Sequence, residues 1–452
     1  MKTQHPGQAV ILASTNHTHL SEAASRAEGM SFLLALGLLV AGLSPTVHGL
    51  PWVILDPEIM AQKDQHSEAP VDILSLAPSN TDFAFSLYRQ LASKNPNKNI
   101  IFSPVSVSGA LAFLSLGARG YTLTEILKGL KFNLTETTEK EIQQGFQHLL
   151  RTLGQRDGPR QLSLGNAMFV NEALSLWDQF GEQAEALYDA HAYSVSFQNA
   201  TVTKSQINHY VEEKSQGKIT DLIENLDSDT AMLLLNYVHF KAKWKLPFDR
   251  DNTCRAKFYV SRTRLVKVFM MSAEYLTLPL FRDEALSCTV LELRYTGNDS
   301  ALFILPDEGQ MRRVEAALLP ETLKRWRNSL QMSFIDELYL PRFSLSGKYN
   351  LENILPELSI KQIFTEHADL SGVTGTKNLR VTQVIHKALI EVGEAGTESA
   401  AGTGVQVPPD TYIIRLFGPT IVNFNRPFLL AVLSKDTQSI IFCAKITDPS
   451  ET

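Results

Sequence analysis

Serine, histidine and aspartate are plentiful in this sequence, but no local pattern makes a catalyst of them. There is no GxSxG to lift a serine onto a strained strand-to-helix turn and no HExxH to set two imidazoles on one helical face. There is also no P-loop and no GxGxxG between a strand and a helix. Gly402-Thr403-Gly404 comes nearest to a phosphate loop, but no third glycine follows and no βαβ pattern surrounds it. Cys254, Cys288 and Cys443 are odd in number and far apart, which excludes a disulfide framework and any CxxC-type zinc or redox site; at most one bridge could form. The sequence therefore implies no catalytic residue, no metal and no cofactor.

A different chemistry is written between Glu394 and Phe428. Glu394-Ala-Gly-Thr-Glu-Ser-Ala-Ala-Gly-Thr-Gly404 carries small residues without a hydrophobic period, and Pro408 and Pro409 follow. That composition belongs to an exposed, flexible loop.

The rest of the chain must present that loop. Its 452 residues, 44% hydrophobic and 20% charged, suit a globular protein; length alone allows about three domains or one large unit of roughly 400 residues. With 42 Lys+Arg against 48 Asp+Glu, bulk charge attracts neither nucleic acid nor a membrane surface. Phe32 to Leu43 reads FLLALGLLVAGL, short of the roughly 20 residues a membrane span needs. Pro45 and then Val47-His48-Gly49 follow it, so 30–49 reads as a secretory signal cleaved near Gly49, and the protein as extracellular. Residues 1–29 are a polar extension ahead of Met30, where translation could equally begin, and 50–78 read as a flexible tail. Secretion makes Asn133, Asn199 and Asn298 glycosylation candidates.

From Ser79 the pattern is that of a folded domain. Phe83, Leu87 and Leu91 share a helical face behind Asn80 and Thr81, which are good caps. Ser103-Pro104 repeats the start signal ahead of an apolar run to Leu116, which predicts a helix buried all round. Ile142, Phe146, Leu149, Leu150 and Leu153 make a stripe with Glu139, Lys140 and Gln143 facing water. Met232 to Phe240 reads as a strand covered on both faces. Leu291, Leu293 and Tyr295 alternate with Glu292 and Arg294 in a half-buried strand, Leu302 to Leu305 form a continuous one, and three more centre on Ile421, Leu429 and Ile440. Helices early, strands late and no internal repeat predict an α+β fold.

Six motifs in order, IFSPVSVSGALAFLSLGA (101–118), QGKITDLI (216–223), NYVHFKAKW (236–244), LPRFS (340–344), EAGTESAAGTG (394–404) and VNFNRPFLLAV (422–432), give the chain a resemblance to the serpin family from Ser79 to Pro449. LTEILKGLKFNLTET and LLPETLKRW are similar to antichymotrypsin-like members of the antitrypsin clade, the rodent contrapsin group included. The resemblance implies several helices on three β-sheets in one domain, 79–452, with a reactive-centre loop at about 394–422. It also implies a monomeric suicide inhibitor: a serine protease attacks the loop, forms an acyl-enzyme and is carried across as the cut loop inserts into the main sheet.

By the same resemblance the hinge comprises Glu394, Gly396, Thr397, Glu398, Ser399, Ala400, Ala401, Gly402 and Thr403. Alternate residues of the inserted strand face the core; those are Thr397, Ser399, Ala401 and Thr403, all small and uncharged. Ser103, Ser106, Asn236 and His386 match a polar group beneath the central strands, and Trp244 matches the tryptophan at the top of the sheet where insertion begins. Counting from the hinge places the scissile bond at Asp410, and counting back from Phe424 places it at Tyr412, so Asp410, Thr411, Tyr412 and Ile413 are the reactive-centre candidates. Gly402 and Gly404 depart from a good strand former and leave a second function open, that of a non-inhibitory carrier of a hydrophobic ligand or a binding scaffold.

Overall fold

The computed structural model describes residues 73–155, 160–377, 379–396 and 418–451, all within the unit Glu68–Thr452. Chain order begins with α1 (Ala77–Lys94), β1 (Ile100–Phe102), α2 (Pro104–Ser115), α3 (Gly120–Gly129) and α4 (Glu139–Leu153). It continues through β2 (Arg160–Asn171), α5 (Asp178–Tyr188), β3 (His191–Val195), α6 (Ala200–Lys214) and β4 (Met232–Ala242). Next come β5 (Cys254–Tyr259), β6 (Leu265–Asp283), β7 (Cys288–Arg294), β8 (Asp299–Pro306), α7 (Met311–Ala316) and α8 (Pro320–Ser329). The chain closes with β9 (Gln331–Pro341), β10 (Phe343–Asn350), α9 (Ser371–Thr374), β11 (Gln383–Val392), β12 (Ile421–Asn423), β13 (Phe428–Ser434) and β14 (Ile440–Ile446).

The all-buried helix expected after Ser103 is α2: every residue of it is buried. Ser103 caps it, its hydroxyl accepting from the Ser106 amide, and Pro104 occupies the first turn where its missing N–H costs nothing. The stripe expected from Ile142 is α4, opened by a reciprocal capping box between Thr138 and Glu141. Gln143, expected in solvent, is instead buried, donating to Ser115 Oγ at 2.8 Å and accepting from the Tyr188 hydroxyl. Glu292 likewise is buried in β7 and paired with Arg294 at 3.0 Å, so that strand is covered more fully than its alternation implied.

The expected start at Ser79 is corrected by six residues. A 3-10 turn already runs from Ile73 to Leu76, and α1 begins at Ala77 with Pro78 in its first turn. Asn80 and Thr81 lie inside the helix, and the Thr81 hydroxyl donates to the Ala77 carbonyl instead of capping. Leu76 is buried where Gly145 of α4 leaves room: a Cβ at 145 would come within 2.7 Å of the leucine side chain. The last residues of the 50–78 segment thus belong to the folded unit.

Two hydrogen-bonded networks carry the strands. The first has the order β10-β11-β4-β2-β3. The second runs β1-β14-β13-β8-β7-β6-β9-β12, with β5 on β6. The two smaller sheets expected from the resemblance are continuous in it because β6 serves both: Leu280–Asp283 pair with β7, while its earlier residues pair with β5 and β9.

In the five-stranded sheet β10 is antiparallel to β11 and β2 is antiparallel to β4, but β4 and β11 run parallel, paired from Leu233–Gln383 to Phe240–Ile390. Every residue of β4 but Lys241 is buried, as expected of a strand covered on both faces. Gly165 of β2 faces Tyr237 of β4, and a Cβ there would stand 2.2 Å from the tyrosine ring. Gly165→Ala is therefore expected to displace that ring and cost about 1–3 kcal/mol, a fall of several degrees in the unfolding temperature measured by calorimetry; an unchanged temperature would show that the ring has room to move.

Candidate functional site

Beneath the parallel β4–β11 pair lies a buried polar group that joins three elements. Asn236 of β4 and His386 of β11 stand directly opposite each other in the ladder. Ser103 and Ser106 reach them from the start of α2. The Ser103 amide donates to His386 Nε2 at 3.1 Å, which makes Nε2 the acceptor and leaves the proton on Nδ1. Nδ1 then donates to Asn236 Oδ1 at 2.5 Å, and the Ser106 hydroxyl donates to the same oxygen at 2.8 Å. Both ring nitrogens are committed, so the imidazole is neutral, and burial pushes its pKa down to about 3.

Asn166 completes the group and was not among the expected positions. It sits on β2 opposite Asn236 and accepts from Asn236 Nδ2 at 2.6 Å; the same Nδ2 lies 3.2 Å from the Ser106 carbonyl. Its own Nδ2 is buried without a partner among the described residues. The only sequence signal for it is an asparagine inside an otherwise strand-like run, LSLGNAMF. Its partner lies 70 residues away.

At the head of the pair the start of the expected hinge is anchored. β11 ends at Val392, and the chain reverses through a tight turn in which Gly393 and Gly396 exchange backbone hydrogen bonds at 2.7 and 3.1 Å. Gly396 has φ +136°, and a Cβ there would lie 2.2 Å from the Ala242 carbonyl, so only glycine fits. Trp244 stacks on Tyr295 with centroids 4.4 Å apart, donates from its indole to the Gly393 carbonyl at 2.9 Å, and donates from its amide to Ala395. The buried Glu394 carboxylate accepts from Thr253 Oγ1 at 2.9 Å, faces Arg342 at 3.5 Å, and its carbonyl accepts from the Phe248 amide. Thr253 gave no signal in sequence beyond its presence, and Arg342 lay inside the LPRFS motif without a role assigned to it.

Of the expected hinge, Glu394 and Gly396 are thus placed. Thr397, Glu398, Ser399, Ala400, Ala401, Gly402 and Thr403, with the reactive-centre candidates Asp410, Thr411, Tyr412 and Ile413, lie outside the described residues, as do 1–29 and the signal expected at 30–49. Asn133, Asn199 and Asn298 are all exposed; Asn133 Oδ1 accepts from Thr135 and Asn298 Nδ2 donates to Asp436. Among the described residues no group of three or more His, Cys, Asp or Glu could hold a metal ion. The three cysteines are free, and burial pushes the Cys288 and Cys443 thiols up to about 12, which keeps them protonated. No described helix is long and apolar enough to cross a membrane.

Comparison with known proteins puts a family to this geometry. The family model described as serpin (serine protease inhibitor) matches residues 78–449. The chain belongs to the serpin family. Human alpha-1-antichymotrypsin is 57% identical to this serpin over 424 residues, 94% of this chain and all of that protein. Serpin A3-8 of Bos taurus is 57% identical over 426 residues, with the same coverage. Among solved structures, that of human thyroxine-binding globulin complexed with its ligand superposes with a TM-score of 0.78 at 40% identity, over 84% of this chain and all of that one. The serpin fold and the antichymotrypsin-like resemblance both stand.

The buried histidine gives this serpin an acid limb. His386 ordinarily has a pKa near 6.5, and its folded value is depressed to about 3. Its contribution to stability is complete above the unfolded value and is lost as pH falls from there toward the folded one, amounting to about 2 kcal/mol by pH 5. His386→Asn should therefore lose roughly that much less stability than the parent between pH 7 and pH 5, measured by denaturant unfolding; equal losses would show that His386 is not the group being protonated.

Proposed function

We propose that this chain is a secreted serine-protease inhibitor that works as a suicide substrate, trapping its protease when the cut loop inserts between β4 and β11. The observation that carries this reading is a pair of antiparallel bridges at the hinge. Gly396 pairs with Lys243 on the extension of β4 and with Gly393 on the extension of β11. In an inserted strand these two bridges would be the first rung. Continuing that register by seven residues moves 396 to 403, 243 to 236 and 393 to 386, so Thr403 would stand between Asn236 and His386. Thr397, one step in, would stand between Ala242 and Val392, both buried.

The energetics suit the reading. An inserted strand forms roughly ten or more backbone hydrogen bonds at about 1 kcal/mol net each, comparable with the ~5–15 kcal/mol that holds a protease folded. Thr397, Ser399, Ala401 and Thr403 are small enough to enter; Glu398, of opposite parity, would stay in solvent. Secretion is supported by the apolar run 32–43 and by the exposure of Asn133, Asn199 and Asn298, whose glycosylation belongs to the same proposal. The scissile bond lies among Asp410, Thr411, Tyr412 and Ile413, and the inhibitor acts as a monomer without a cofactor. The likeness to thyroxine-binding globulin supports ligand carriage as a second reading; an inward-facing hinge free of bulk and charge favours the first.

Incubation with a panel of serine proteases should give a complex that survives denaturing electrophoresis. Thr397→Arg would drive an unpaired charge into a dry strand position at a cost on the order of several kcal/mol. That variant should still be cut at the same bond, but lose the complex and yield cleaved protein. A complex of undiminished yield from Thr397→Arg would mean that inhibition does not proceed by strand insertion.

A further inference from the structure

The outer face of the β5–β6 hairpin is built for a partner. The two strands pair with Arg255 opposite Phe269, Lys257 opposite Lys267 and Tyr259 opposite Leu265. Directly paired residues share a face, as do residues two apart, so these six side chains form one patch. All six are exposed, Phe269, Tyr259 and Leu265 at 42%, 45% and 50%, while Phe258 and Val268 between them are buried. The guanidiniums of Arg255 and Arg342 lie 5.2 and 4.6 Å from the Phe269 ring centre.

This arrangement does little for the fold. Like charges directly opposite on neighbouring strands destabilise the pair, and three large apolar side chains stay half in water. Arg262 and Arg264, at the turn, are paired with Glu308 and Asp448 at 3.0 and 2.6 Å. Arg255, Lys257 and Lys267 have no ion pair among the described residues. Uncompensated cations around aromatic and aliphatic anchors are what an interface core uses against an acidic partner.

The hairpin is also tied to both ends of the loop. Thr253, next to Cys254 at the start of β5, donates to Glu394, and Arg342 reaches from the Phe269 ring to the same carboxylate at 3.5 Å. At the other end of β5 the Tyr259 amide donates to the Asn425 carbonyl at 2.7 Å, just past β12. A protease engaged on residues 397–417 is held by a chain anchored on either side of this patch. We infer that the patch docks an acidic surface of the target protease beside its active-site cleft and so selects among proteases of like specificity. The inference rests on the inhibitor reading above. A sulfated or phosphorylated polyanion would use the cations but gain nothing from Leu265.

The anionic and cationic forms of trypsin and of chymotrypsin separate surface charge from specificity. Whichever enzyme type is trapped, its anionic form should be trapped faster at low salt. Lys257→Glu together with Lys267→Glu should slow that form about tenfold or more and the cationic form much less, with the difference shrinking as salt rises. The melting temperature, which should not fall, checks that the variant is folded. Equal rates for parent and variant with every trapped form would overturn the inference. So would unchanged rates with weaker retention on immobilised heparin, which would assign the patch to a polyanion. No covalent complex with any of the four enzymes would overturn the inhibitor reading, and this inference with it.

Discussion

The rest of the molecule is arranged around the parallel contact between β4 and β11. Their ladder from Leu233–Gln383 to Phe240–Ile390 satisfies the backbone groups that the two strands turn toward each other, but parallel pairing is slightly weaker per residue than antiparallel pairing. An antiparallel strand entering between them would replace one parallel ladder by two antiparallel ones. The chain that would supply it leaves β11 through the Gly393–Gly396 turn, where Gly396 bridges both Lys243 and Gly393. On the proposed reading, the sheet is held in the lesser of two arrangements that the same residues allow.

Two devices hold it there. At the head, Trp244, Tyr295, Thr253 and Arg342 fix the turn through the main chain and through the Glu394 carboxylate. At the centre, Ser103, Ser106, Asn166, Asn236 and His386 bind the seam from below, and the Asn236–His386 bond crosses it directly. An inserted strand must break that bond, since neighbouring strands sit about 4.8 Å apart and the two residues would be separated by twice that. The group is itself imperfect, with Asn166 Nδ2 unpartnered among the described residues. A seam closed by a partly satisfied network is stable enough to fold and weak enough to open.

Much of this was legible in the sequence, for identifiable reasons. α2 could be read because Ser103-Pro104 is a local start signal and the run behind it is apolar all round; β4 could be read because Met232 to Phe240 is too continuous for a half-exposed strand. The loop declared itself by the absence of any hydrophobic period. The polar group and Trp244 came from motif resemblance and not from pattern, since Asn236 and His386 are 150 residues apart. Asn166, Thr253, the pairing of Arg342 with Glu394 and the burial of Gln143 were out of reach for the same reason: each is defined by a long-range partner. The start of α1 was misjudged because Asn80 and Thr81 satisfy a cap pattern, while the packing of Leu76 against Gly145 decides where order begins.

The central claim is that this sheet is held one strand short of its most stable state. It is tested most directly by nicking the loop between Gly404 and Leu416 with a protease that is not trapped, then comparing the unfolding temperatures of intact and cut protein by calorimetry. Freed at one end, the hinge segment should insert, adding on the order of 10 kcal/mol and raising the unfolding temperature by roughly tens of degrees. An unchanged or lower temperature after clean cleavage would contradict the account.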